Sequence, residues 1–290
     1  MDIGLFVPLT AFNANAAFLR ALGPAVEERG FESIWLPEHV VLFDDYESSY
    51  PYAEDGKFPG GAETGIVDPL VGLTYLAAVT DRVRLGTGIL LLPQRNPVYT
   101  AKHVADLDVL SGGRVDLGIG IGWLEEEFDA LNVPFAQRGK RTDEYLQILR
   151  SFWTEPTSSF DGDLYALRPA RMYPKPVQSP VPVHVGGESR AAMRRAARHG
   201  QGWFTFNRTP AELPEVLSQL DEALGAEGRT RADITVSASP YFRPLEPGDV
   251  EAYAAAGVDR LIVMCLAFGP DDLLPTLDTL AEEVLERARA

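Results

Sequence analysis

The chain has 290 residues, 46% of them hydrophobic and 23% charged, with a net charge of −16. That composition suits a folded globular protein, excludes disorder over most of the length, and repels polyanions, which excludes a general nucleic-acid binder. The lone cysteine, Cys265, rules out an intrachain disulfide and fits a reducing cytosol, so a cytoplasmic location is expected.

The first residues, MDIGLFVPL, carry Asp2 and no basic stretch, so they read as a first strand and not as a secretion signal. Residues 16–29 have helical spacing and stop at Gly30, and residues 33–36 form a second apolar run. Asp68 followed by Pro69 is a helix start, with the aspartate as N-cap and the proline at the first helical position. A third run covers 83–92, with a helix over 97–110; a fourth covers 115–119, with a helix over 138–153. The fifth run, 181–185, precedes a helix over 189–199, and the sixth, 202–206, precedes one over 210–224. The seventh, 234–238, precedes a helix near 246–256; the eighth, 260–266, is followed by a closing helix over 271–288. The longest apolar run, 261–268, is too short to span a bilayer, so no membrane association is expected.

Strict alternation of strand and helix predicts a parallel sheet, whose strands are covered on both faces and therefore read as continuous apolar runs. Eight such units predict an α/β fold of the (β/α)8 TIM-barrel type, forming a single domain over 1–290, although repeat count alone also suits a doubly wound open sheet. Two stretches exceed a minimal barrel. Residues 43–66 form an insertion after strand two, and residues 154–180 an insertion before strand five, with a hairpin expected around 161–163. Loops of that length are commonly lids or binding loops.

Four constellations carry possible chemistry. Glu38 and His39 end the second strand, where a barrel places its reactive groups; a structural role is the competing reading for a single histidine. Gly88 interrupts an apolar strand, as a bulge or a close backbone approach would require. Gly118, Gly120 and Gly122 sit at the end of the fourth strand, but Trp123 breaks the dinucleotide spacing, so a Rossmann site is rejected. Gly186 and Gly187 lead into a helix starting near Ser189 and carrying Arg190, Arg194, Arg195 and Arg198. That is either a phosphate cradle at a helix N-terminus or a glycine turn before a solvated basic helix. His103 and His199 fall on helices and His184 inside strand five, with no metal-ligand spacing, and Cys265 reads as inert core.

The segments GFESIWLPEH, SSYPY, RVRLGTGILLLPQRNP, AKHVADLDVLSGGRVDLGIGIGWLEEEF, FAQRGKRTDEY and VHVGGESRAAMRRAARHGQGW, in that order, resemble the luciferase-like monooxygenase superfamily. More narrowly, they resemble its branch of coenzyme F420-dependent oxidoreductases. The resemblance implies a barrel with a deazaflavin at its mouth. It implies His39 facing the ring, Gly88 and Ile89 at a bulge with a non-proline cis peptide behind the ring, and Gly120, Gly122 and Trp123 beside it. Gly186, Gly187, Ser189 and Arg190 would hold the cofactor phosphate. Two positions depart from the pattern. Trp123 stands where some members have an acidic glutamate, and Gln201 stands where many have aspartate.

The expected activity is F420-dependent hydride transfer to or from a small organic substrate, with His39 as acid or base. The same fold also serves an FMN-dependent monooxygenase fed by a reductase, or a non-catalytic flavin-binding protein. Relatives often dimerise, so a homodimer is expected. Arginine supplies 22 of the 26 basic residues, a bias that suggests a GC-rich bacterial genome.

Overall fold

The computed structural model describes residues 1–289. The barrel opens with β1 (Asp2–Phe6), α1 (Ala16–Arg29), β2 (Ser33–Leu36) and α2 (Pro69–Ala77). It continues through β3 (Arg84–Thr87), its continuation β4 (Leu90–Leu91), α3 (Pro97–Ser111), β5 (Val115–Gly120), α4 (Glu125–Ala130) and α5 (Arg138–Thr154). An antiparallel hairpin, β6 (Ser158–Asp161) and β7 (Ala166–Ala170), lies outside the barrel. The second half runs β8 (Val183–Gly186), α6 (Arg190–His199), β9 (Gly202–Phe206), α7 (Leu213–Ala226), β10 (Thr235–Ser239), α8 (Asp249–Ala255), β11 (Arg260–Met264) and α9 (Pro270–Leu280). A π-helical turn, Ala281–Leu285, joins α9 to α10 (Glu286–Arg289).

Each barrel strand pairs in parallel with the next, and β1 with β11. The pairing of β3 with β5, Leu85 opposite Val115, completes the closure. Eight parallel strands with an outer ring of helices therefore form the (β/α)8 barrel, and the open-sheet alternative falls. Side-chain caps start four of the helices, Asp68 at the position the sequence predicts. Asn15, Asp68, Asn96 and Ser189 accept N–H groups from the first turns of α1, α2, α3 and α6. Gly30 ends α1 in the left-handed region at φ 82°.

The core has two layers. A large cluster fills the space between strands and helices, and a smaller one, Phe6, Trp35, Phe204 and Ile262, fills the barrel itself. Glycines make room for the Trp35 ring: a Cβ on Gly86 would stand 2.3 Å from it. Below that ring, Asp116 meets Arg84 at 2.7 Å, His184 at 3.3 Å and Arg260 at 3.5 Å. Burial pushes the Asp116 carboxyl up, but the hydrogen bonds from Arg84 and His184 outweigh it and hold the group well below the usual carboxylate range.

Three differences from the expectations are local. The third apolar run is split by a cis peptide between Gly88 and Ile89. The short helix α4 had no sequence signal of its own. The closing helix is interrupted by the π-turn.

Candidate active site

His39 leaves the barrel three residues after β2. Its neighbour Glu38 has its side chain elsewhere, because successive residues of an extended segment point to opposite sides. Glu38 pairs with Arg95 (2.7 Å from Nε) and accepts the Leu91 N–H, and Arg95 also holds Asp68. The group paired at the second-strand exit is thus a tie between β2, the β4 segment and α2. The carboxylate that meets His39 is Glu127, on α4: His39 Nδ1 lies 3.2 Å from its Oε2.

Glu127 is fully buried and saturated with donors. Its Oε1 accepts the Val40 and Val41 N–H groups at 2.6 and 3.3 Å, and its Oε2 accepts the Gln94 amide at 3.0 Å. Burial raises the carboxyl, but the His39, Gln94 and Val40 hydrogen bonds outweigh it and hold Glu127 below its ordinary value. An ionised carboxylate only accepts, so Nδ1 of His39 carries a proton and Nε2 is left for exchange. Sequence reasoning passed over Glu127. It is 88 residues from His39 and reads as the third member of the acidic run Glu125–Glu127.

The insertion after β2 packs over the mouth as a layer of aromatic rings. Phe58 and Trp123 stand edge-on to His39 at 5.0 and 5.8 Å between centroids. Tyr46 and Tyr50 pack on Trp123, and Tyr52 packs on Phe206. The Tyr50 and Tyr241 hydroxyls share a hydrogen bond of 2.8 Å, which ties the insertion to the residue two positions beyond β10. Burial pushes both phenols up, so both stay protonated donors at neutral pH. Glu126 anchors the insertion from the other side by accepting the Glu47 and Ser48 N–H groups at 2.6 and 3.2 Å.

Between strands β4, β5 and β8 the glycines make room for the Ile89 side chain. A Cβ on Gly120 would stand 1.7 Å from Ile89 Cδ1, and one on Gly186 would stand 3.3 Å from both the Ile119 carbonyl and Ile89 Cγ2. The Gly88–Ile89 cis peptide lies at this point, as the resemblance implied. Gly122 has φ 79°, and a Cβ there would meet the Phe128 ring at 2.8 Å. The residues expected to contact a ring, Gly88, Ile89, Gly120, Gly122 and Trp123, thus fall on two adjacent strand exits.

Gly186 and Gly187 form the turn into α6. Gly187 adopts φ 105°, and its carbonyl accepts the Trp203 indole N–H at 2.8 Å. The Ser189 hydroxyl accepts the Ala192 N–H, while the N–H groups of Ser189, Arg190 and Ala191 have no acceptor among the described residues. Glu188 would oppose an anion here, but its carboxylate is turned to Arg208 (2.8 Å) and Thr205. Arg195 pairs with Asp143 and Arg198 with Glu227, whereas Arg190 and Arg194 are exposed and form no ion pair among the described residues. Gln201 uses its amide oxygen to accept the Val183 N–H at 3.1 Å. His184 and Cys265 are interior, the latter with its thiol pushed up to about 12 by burial, and His103 is on the surface. No cluster able to hold a metal occurs among the described residues.

The closed barrel brings the glycine-lined strand exits, the N-terminus of α6 and the buried His39–Glu127 pair to one mouth, the end at which (β/α)8 enzymes carry their reactive groups. The luciferase-like monooxygenase family model matches residues 1–264, and the chain belongs to that family of oxidoreductases. It is 35% identical to an uncharacterized protein of Mycobacterium tuberculosis, over 84% of this chain and 81% of that one. It is 32% identical to the F420-dependent glucose-6-phosphate dehydrogenase of Kineococcus radiotolerans, over 72% of this chain and 58% of that one. Among solved structures it superposes on the monooxygenase RslO1 of Streptomyces bottropensis (TM-score 0.76, 22% identity) and on the coenzyme F420-dependent tetrahydromethanopterin reductase of Methanopyrus kandleri (TM-score 0.75, 17% identity). Each superposition covers 99% of both chains. No helix among the described residues is long and apolar enough to cross a membrane.

Proposed function

We propose that this protein is a coenzyme F420-dependent oxidoreductase acting on a small organic substrate. The observation that carries the choice of cofactor is the pair of unpartnered arginines, Arg190 and Arg194, beside the Gly186–Gly187 turn. The helix N-terminus suits any phosphate, FMN included. Two further free guanidiniums, on a chain of net charge −16, suit a cofactor whose anionic tail continues past the phosphate. The F420 dependence of the Kineococcus relative supports the same reading.

The mouth fits such a group. Gly120 and Gly186 leave room for the Ile89 side chain, which with Gly88 forms the floor, Gly122 and Trp123 border it, and Gly187, Ser189 and Arg190 offer donors to the phosphate. When bound, the deazaflavin supplies a site that accepts or donates a hydride. The chain's own residues do the rest. Two-electron exchange at a carbon bearing oxygen moves a proton as well as a hydride, and His39 Nε2 holds that proton while Glu127 fixes the ring. The aromatic insertion excludes water from the mouth, and the strand exits around Ile89 supply positioning, the larger part of the rate gain. Glu38 supports this arrangement through Arg95 and the Leu91 backbone.

The test is single-turnover kinetics with bound F420 in wild type and His39→Asn. Loss of the substrate-dependent absorbance change in the variant, with F420 affinity held within about threefold, is the expected outcome. Oxygen consumption with reduced FMN, and none of these changes with F420, would favour the monooxygenase reading. Tight binding without turnover of any substrate would leave a flavin-binding protein.

A further inference from the structure

We propose that Gln94 is a positioning residue for His39: by donating its side-chain amide to the Glu127 oxygen that faces the imidazole, it sets how tightly the carboxylate holds that ring and its proton. The inference deepens the functional reading above, in which His39 holds the transferred proton, and rests on it.

The backbone aims the amide. Gln94 ends the short 3-10 turn Leu92–Gln94, between β4 and α3. Both flanks are fixed: Glu38 accepts the Leu91 N–H and the Arg95 guanidinium, and Asn96 caps α3. The side chain is buried and passes beside the Gly122 turn, where a Cβ would stand 3.7 Å from Nε2. Nε2 then donates at 3.0 Å to Glu127 Oε2, the same oxygen that lies 3.2 Å from His39 Nδ1.

The opposite end of the amide has no such contact. Gln94 Oε1 is buried and has no hydrogen-bond donor among the described residues. Turning the amide over would set that oxygen against the Glu127 carboxylate, so charge fixes the orientation. A buried acceptor without a donor opposes folding, and an unbranched apolar side chain of the same length would fill the space without it. The gain from glutamine therefore lies at Nε2. The Val40 and Val41 N–H groups satisfy Oε1 of Glu127, whereas Gln94 and His39 share Oε2. A donor draws charge from the oxygen it binds, so the amide weakens the pull of Oε2 on a protonated ring. Glu127 is the one ion-pair partner of His39 among the described residues. Glu38 is paired with Arg95, Arg138 donates to the Gly122 carbonyl, and Phe58 and Trp123, which face the ring, carry no charge. Tyr46 and Tyr50 pack on Trp123.

The test is NMR titration of the His39 ring in the full-length protein without cofactor, its signal assigned by its loss in His39→Asn. Without the amide, Oε2 is left to the ring alone, and His39 should keep its second proton to higher pH. In Gln94→Met the midpoint should rise by at least about 0.5 pH unit, a roughly threefold gain in proton affinity, while that of His103, on the surface, should not move. Gln94→Asn, whose amide falls one methylene short, should shift the midpoint in the same direction. The melting temperature of Gln94→Met should stay within about 3 °C of wild type, because the lost donor is offset by the lost orphan acceptor. A purely structural glutamine predicts the reverse, a lower melting temperature with an unmoved midpoint. A midpoint within about 0.2 pH unit of wild type in both variants, a downward shift, or an equal shift at His103 would overturn the proposal. The titration needs neither cofactor nor substrate, so its failure is separate from failure of the functional reading, which the His39→Asn kinetics decide.

Discussion

Replacing Glu127 by Gln probes the least sequence-visible part of the site. The wild-type carboxylate accepts from His39, Val40, Val41 and Gln94 and is fully buried. The amide keeps one acceptor oxygen and turns an NH2 group toward donors, so about two charge-assisted bonds are lost. At about 1.5–3 kcal/mol for a bond to a charged group, less what relaxation recovers, the change should cost about 2–4 kcal/mol. That lowers the melting temperature by about 3–7 °C, at roughly 0.6 kcal/mol per degree for a chain of 290 residues, and the urea midpoint without changing the slope of the transition. The sign with pH follows from the lowered Glu127 value. Its contribution is complete above the unfolded carboxyl value of about 4.3 and is lost as pH falls through the lower folded value. The gap between wild type and variant should therefore be full at neutral pH and narrow below about pH 4.3. In ¹⁵N spectra at a pH where His39 is neutral, the wild type should show the Nδ1–H tautomer, and the variant a mixture. A gap under about 0.5 kcal/mol at pH 7, or one that widens in acid, would refute the assignment of Glu127 as the group that fixes His39.

Other substitutions test other parts of the account. Gly118→Ala places a Cβ 1.9 Å from the Thr87 carbonyl oxygen, backbone that cannot swing away, so it should cost about 3 kcal/mol or prevent folding, read from soluble yield and denaturation. Asp116→Asn should cost about 3–5 kcal/mol, because Arg84 and Arg260 lose the charge they share beneath Trp35; a urea curve unchanged from wild type would contradict that. Tyr50→Phe removes the hydroxyl bond to Tyr241 and should cost about 1 kcal/mol, with faster proteolytic nicking confined to 43–66. Glu126, held down to about 2 by Ser48, Glu47 and its own N–H against a burial effect that raises it, should anchor the same loop fully above about pH 4.5. It should release it progressively as pH falls toward 2, seen as rising amide exchange at Glu47 and Ser48.

The barrel was legible because its strands are covered on both faces: runs such as 83–92 and 260–266 are apolar without alternation. The caps at Asp68 and Gly30 were legible because their chemistry is local. Gly88 announced a break in its strand, although only the structure shows that the break divides β3 from β4. The site was legible only as far as it is local. His39 stands at a strand exit, and Gly186–Gly187 stands before a helix. Glu38 drew attention by adjacency, yet an extended backbone turns neighbouring side chains apart, and Arg95 accounts for it. Glu127 and Tyr241 reach the mouth by tertiary closure, from an acidic run and an irregular loop that carry no periodic signal.

The central claim is the cofactor, and direct titration of the purified protein with F420 and with FMN, each oxidised and reduced, tests it most directly. The account predicts F420 binding at micromolar Kd or tighter, weaker FMN binding, and loss of F420 binding in Gly187→Asp, which places a carboxylate in the anion turn where φ is 105°. A preference for FMN, or F420 affinity unaffected by Gly187→Asp, would contradict it.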